Sequence, residues 1–271
     1  MNNAQKKFLG IIADSWELIF DWHCPEFFKK QTSSDLNDKE RNLWVQQMIL
    51  LLALAAGSLI ALACQLFAHM AVNHFAGSVI FALLVEFILE SRSSFRAVKF
   101  ISGLPERLSG KEPLNCILAT HSAELELFSP LSNFTFLFLV VLRCLSLGMI
   151  FFYASYSVVA LAMLAGALCE ADLAATPQND GSDKTSILPL AHYTFVWHYV
   201  WLFGGFIMLF FCFNFTVLTL LSYGISFVIS HIACRIYLRG NHPMSADFIS
   251  AVGYSMESIV LLLTLLCVSG R

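Results

Sequence analysis

The sequence predicts an all-α protein, a polytopic integral membrane bundle of about seven transmembrane helices. Three observations lead there. Of 271 residues, 58% are hydrophobic and 13% charged, with a mean hydropathy of +0.70, whereas a soluble domain carries about 25% charged residues. The apolar residues stand in long blocks free of charge. Polar turns divide those blocks into lengths that suit a bilayer core, which takes about 20 residues of helix to cross.

Residues 1–41 read as an amphipathic N-terminal segment on the cytoplasmic side, and residues 42–271 as a single transmembrane helical domain. Lys6 and Lys7 precede only the short apolar stretch Phe8 to Ala13 before Asp14 and Glu17 interrupt it, which is unlike a secretory signal. Asn42 to Val85 contains no Asp, Glu, Lys or Arg and gives the first two helices, with a turn around His69, Asn73, His74 and Gly77. Leu127 to Cys169 carries the single charge Arg143 and gives two more, with a break near Gly148 to Ser155. Thr185 to Cys234 is uncharged and supplies the fifth and sixth, joined near Asn214. Asp247 to Val268, interrupted by Glu257, is the seventh.

Lys and Arg placement predicts the orientation. Lys6, Lys7, Lys29, Lys30, Lys39 and Arg41 precede the first helix; Arg92, Arg96, Lys99, Arg107 and Lys111 follow the second; Arg235 and Arg239 follow the sixth. Two-helix hairpins between these segments put all three on the cytoplasmic face of the inner membrane. The acidic loop Glu170 to Lys184 falls on that side too. Polar segments near residues 20–30, 86–96, 170–184 and 239–257 are therefore expected to meet at one face.

Several function classes drop out. A net charge of −3 offers no basic field for nucleic acid. The eight cysteines stand singly, without a C-x-x-C pair, and read as small apolar packers inside helices. No Gly-rich phosphate loop and no H-E-x-x-H motif is present. Tyr193, Phe195, Trp197, Tyr199 and Trp201, with His192 and His198, read as an interfacial belt.

Five charged residues remain as candidates for chemistry. Glu86 and Glu90, at i and i+4, share one helical face. A hard cation such as Mg²⁺ would relieve their repulsion; the plainer reading is a helix end meeting water. Arg143 either pairs a carboxylate or holds a phosphate, unless it snorkels to an interface. Asp247 suits the first turn of a helix. Glu257 stands about 15 Å further along the same helix, too far to share an ion with Asp247. A small transporter would hold such charges near mid-membrane, whereas these are expected at one face.

In order and residue type these segments resemble the membrane cobalamin synthases, the adenosylcobinamide-GDP ribazoletransferases, and the likeness covers most of the chain. Phe20 to Pro25 occupies the place of the family's F-x-T-R-x-P stretch. Glu86-Phe87-Ile88-Leu89-Glu90 parallels the start of D-G-x-A-D-x-x-D-G, with Ser93 and Ser94 replacing the third aspartate and its glycine. Phe128 to Ser132 resembles the D-S-R-x-G turn, and Arg143 follows in a helix where the family often has a basic residue. Ser245 to Ala251 parallels T-G-D-x-L-G-A; Glu257 matches the acidic tail, and Tyr254 replaces an expected Glu.

The resemblance implies a Mg²⁺-dependent transferase joining alpha-ribazole, or its phosphate, to GDP-activated adenosylcobinamide with release of GMP. Glu86 and Glu90 would hold the metal, Asp247 and Glu257 would complete or position the reacting groups, and Arg143 would meet phosphate. The implied partners are a corrinoid nucleotide, alpha-ribazole, the lipid bilayer and corrinoid-pathway enzymes. The alternative is a non-catalytic relative that acts as a membrane scaffold or partner in that pathway.

Overall fold

A computed structural model describes residues 3–20, 38–70, 73–89, 94–102, 130–152, 157–175, 224–225, 228, 232 and 245–269. Among them every regular element is helical. These are α1 (Asn3–Phe20), α2 (Asp38–Met70), α3 (His74–Leu89), α4 (94–102), α5 (Pro130–Phe152), α6 (Ser157–Ala175) and α7 (Ala246–Ser269). The expected fifth and sixth transmembrane helices and the aromatic belt lie outside the described residues, apart from the isolated positions between 224 and 232.

Local chemistry explains the boundaries. Asn73 caps α3: its Oδ1 accepts from the Ala76 amide at 3.1 Å and its carbonyl from Gly77 at 2.9 Å. This is the turn expected around His69 to Gly77. Ser245 does the same for α7, its Oγ accepting from Phe248 N at 3.2 Å. Of the break expected near Gly148 to Ser155, Gly148 to Phe152 are still helical in α5, α6 begins at Ser157, and 153–156 lie outside the described residues. The sequence missed α4, reading those residues as part of a basic loop. Instead Phe100 packs on Phe248 with ring centroids 5.3 Å apart, and Lys99 reaches Asp247, which ties α4 to the start of α7.

At the centre lies α6, packed between α2 and α7, while α3 pairs with α5. Every residue from Val158 to Ala167 is buried, as expected of a helix that is apolar all round. The buried core runs through Cys64, Ala82, Cys144, Ile150, Leu161 and Leu261. Cys64, Cys144 and Cys169 are buried and form no disulfide. On α1, Ile11 joins Val45, Ile49 and Ala53 of α2.

The outside is as apolar as the inside. Leu59, Leu62, Leu66, Phe134, Leu137 and Phe138 are all exposed, while Glu86 and Arg143 are buried, an inversion of the usual soluble pattern. Among the described residues three helices are long and apolar enough to cross a bilayer, over Gln47–Phe67, Asn133–Ile150 and Asp247–Leu266; His74–Phe87 and Val158–Ala167 are shorter apolar helices.

Candidate functional site: a buried arginine between two glutamates

Three helices each send a charged residue into the bundle. Glu86 comes from α3, Arg143 from α5 and Glu257 from α7, so the contacts join positions 57 and 114 residues apart in the chain. The Arg143 Nε stands 3.1 Å from Glu86 Oε2, with both side chains 3% exposed. The Arg143 Nη2 donates to Glu257 Oε2. Tyr254, one turn before Glu257, donates its hydroxyl to Glu86 Oε1 at 2.8 Å and lays its ring 4.4 Å from the guanidinium carbon, a cation–π contact. A small cavity beside the cluster is lined by Arg143, Glu257, Val85, Leu147 and Met163.

Helix-to-helix clearance shapes this site. Where Glu257 crosses α6 the facing residue is Gly166, and a Cβ there would lie 2.5 Å from the Glu257 Cγ. One turn along the seam the relation is reversed: Glu170 of α6 lies over Gly253 of α7. Close approach of two helices at small residues is a usual packing mode in membranes, and here it makes room for carboxylates.

Arg143 and Glu257 stand near the middle of their own apolar stretches. Arg143 lies ten residues after Asn133 and seven before Ile150 in its membrane-length stretch, about 15 and 10 Å along the axis. Glu257 lies ten residues after Asp247 and nine before Leu266, again near the middle. The acids therefore do not all gather at one end. Asp247 stays at the end of α7, 3.7 Å from Lys99, and joins neither Glu86 nor Arg143 in any described contact. Glu90 lies outside the described residues.

Of the pair expected to hold Mg²⁺, Glu86 has both carboxylate oxygens facing protein groups. One Glu86 oxygen faces the guanidinium and the other accepts from Tyr254. The ion needs carboxylate oxygens turned toward it in near-octahedral geometry. Among the described residues no group of three or more His, Cys, Asp or Glu side chains is placed to hold a metal. Of the two roles open to Arg143, the geometry shows carboxylate pairing. The sequence reading missed Tyr254 as a functional partner, having treated it as a replacement; its offset of three from Glu257 was the available signal.

Tyr254→Phe isolates the hydroxyl. It keeps the ring over Arg143 and leaves Glu86 Oε1 buried without that donor, so stability is expected to fall by about 1–2 kcal/mol. Unfolding in mixed detergent–denaturant micelles measures it, and an unchanged midpoint would show that the hydroxyl contributes nothing.

Comparison with protein-family models, curated proteins and solved structures finds no match for this chain.

Proposed function

We propose that the chain is a polytopic membrane protein of the ribazoletransferase type, seated in the cytoplasmic membrane, in which an internal cation stands where Mg²⁺ would act. It then serves as a non-catalytic scaffold or partner for corrinoid-pathway enzymes. The observation that carries this reading is the position of Arg143, buried against Glu86 and Glu257 together. A guanidinium seated there supplies one of the two positive charges that a divalent ion would bring. At 3% exposure it is also closed to a substrate phosphate.

The resemblance supplies the pathway. Glu86, Arg143, Tyr254 and Glu257 belong to three separate segments of that likeness, and their convergence supports treating those segments as one unit. The membrane assignment is supported by the three long apolar helices and by their apolar outer faces. Seven spans and a cytoplasmic N-terminal segment follow if residues 185–234 form the remaining hairpin.

A catalytic reading draws on one observation. Asp247 and Lys99 form an ion pair near the end of α7, with the Lys99 side chain 31% exposed, where a phosphate-bearing substrate would find an ammonium group. In that reading Glu90 and a rearranged Glu86 hold Mg²⁺.

Complementation separates the two. In a strain lacking the synthase, supplied with cobinamide and a lower base, the full-length chain is expected to give no growth above an empty vector. It is expected to co-purify with corrinoid-pathway enzymes from solubilised membranes. Growth that Glu90→Gln abolishes would overturn the proposal in favour of the Mg²⁺-dependent transferase. Neither growth nor association would overturn the pathway assignment itself.

A further inference from the structure

The turn between α2 and α3 takes no part in the charge cluster, yet it sets two histidines side by side. His69 stands in the last turn of α2 and His74 opens α3, and their rings meet edge to face with centroids 6.5 Å apart. Both residues are exposed. His69 lies two residues beyond the apolar stretch Gln47–Phe67, and His74 is the first residue of the next, His74–Phe87. The pair therefore sits where both helices leave the apolar layer and an ion from water can reach it. No Asp, Glu, Lys or Arg occurs from Asn42 to Val85, so this hairpin adds neither a competing cation nor a carboxylate to the two imidazoles.

Packing around the turn holds this spacing. Phe67 of α2 meets Phe81 of α3 with ring centroids 5.5 Å apart, and Phe75 of α3 meets Phe152 of α5 at 6.0 Å. The Asn73 cap fixes the first turn of α3 through Ala76 and Gly77. A transition-metal ion takes an imidazole nitrogen at about 2.0–2.1 Å, which puts it about 3.2 Å from the ring centre. Two rings on one ion then have centres about 5 Å apart at the tetrahedral angle and about 6.4 Å apart when opposed. The observed 6.5 Å stands at the edge of that range, and turning one exposed ring about its side-chain bonds closes the difference. The ion needs one nitrogen of each ring; the other nitrogen of a ligating histidine ordinarily donates to a further group, which fixes the ring.

We propose that His69 and His74 form a two-imidazole binding site for a divalent first-row transition ion at the α2–α3 turn. The ligand type selects that class: imidazole suits copper, nickel and zinc, whereas Mg²⁺ and Ca²⁺ take oxygen. Within the class Cu²⁺ binds such nitrogens most tightly. Among the described residues no third His, Cys, Asp or Glu side chain joins the pair, so the remaining coordination positions are filled from solvent and the ion exchanges. When bound, it links the end of α2 to the start of α3. The site shares no residue with the Glu86–Arg143–Glu257 cluster and does not depend on the corrinoid pathway.

Electron paramagnetic resonance of equimolar Cu²⁺ added to the purified full-length protein in nanodiscs reads the site apart from any activity. The wild-type signal is expected to carry the splitting of two imidazole nitrogens on one ion, and excess Mg²⁺ is expected to leave it unchanged. His69→Ala and His74→Ala are each expected to abolish the two-nitrogen pattern. Titration against glycine as a competing chelator is expected to show binding weakened by about tenfold or more in each, since even the outer partner of a ligand is worth about 10–100-fold. Both rings are exposed, so the variants leave the packed core intact, and an unchanged helical circular dichroism spectrum checks this. A wild-type signal without two nitrogens overturns the site, and that result needs no variant to fold. A two-nitrogen pattern that survives in either variant also overturns it, because other histidines of the chain would then be the ligands. A failed complementation or association experiment leaves these signals unchanged, so the two proposals fail separately.

Discussion

Arg143→Leu is expected to destabilise the bundle by about 3–5 kcal/mol, the usual cost of breaking a buried ion pair by removing one partner. The cause is what remains. Glu86 and Glu257 would face each other in the core, and Glu86 would keep only the Tyr254 hydroxyl as a donor. The cation–π contact would go as well. Arg143→Lys is expected to fall between, because one ammonium cannot reproduce the separate Nε and Nη2 contacts. The triple variant Arg143→Leu, Glu86→Gln, Glu257→Gln is expected to recover most of the loss, since replacing a buried charge network as a whole is often neutral. Reversible unfolding of the reconstituted protein, followed by tryptophan fluorescence, measures all three. A loss below about 1 kcal/mol for Arg143→Leu, or no recovery in the triple variant, would mean that these charges do not meet.

Those expectations depend on contacts that no stretch of sequence displays. The helices were legible because their evidence is local: uncharged blocks bounded by polar turns gave α2, α3, α5, α6 and α7 with ends displaced by a few residues. Asn73 announced its cap because a helix N-terminus wants a side-chain acceptor there. By contrast, α4 was hidden within a basic stretch, since its burial comes from Phe248 and Asp247 some 150 residues away. The same holds for the site. Glu86, Arg143, Asp247 and Glu257 stand out singly because charge in an apolar block is rare, but their partners are set by helix packing. Arg143 was readable as a pairing residue, though not as the joint partner of both glutamates. Glu86 lies near a helix end in sequence, yet α5 and α7 bring the middle of their own lengths to it.

The packing of α6 on α7 makes the second large effect specific. Gly166→Val is expected to cost about 3 kcal/mol, near the upper end for overpacking a tight interior. Its Cβ would sit 2.5 Å from both Cγ and Oε1 of Glu257. Cγ is not the free end of the side chain, so the residue cannot simply swing away. The helices must part, or Glu257 must abandon Arg143. Gly253→Val meets the Cγ and Oε1 of Glu170 instead, so the same overpacking applies, but displacing Glu170, which is half-buried, leaves the Arg143 contacts to Glu86 and Glu257 in place. Its cost is expected to be smaller by about 1 kcal/mol or more. Pairing Gly166→Val with Glu257→Ala removes the obstructing side chain and leaves Glu86 and Arg143 as a balanced pair. The double variant is therefore expected to be more stable than Gly166→Val alone, by the 1–3 kcal/mol coupling that contacting residues show. If the two losses simply add, Glu257 does not lie across Gly166, and the seam that positions the charge cluster is not built as described.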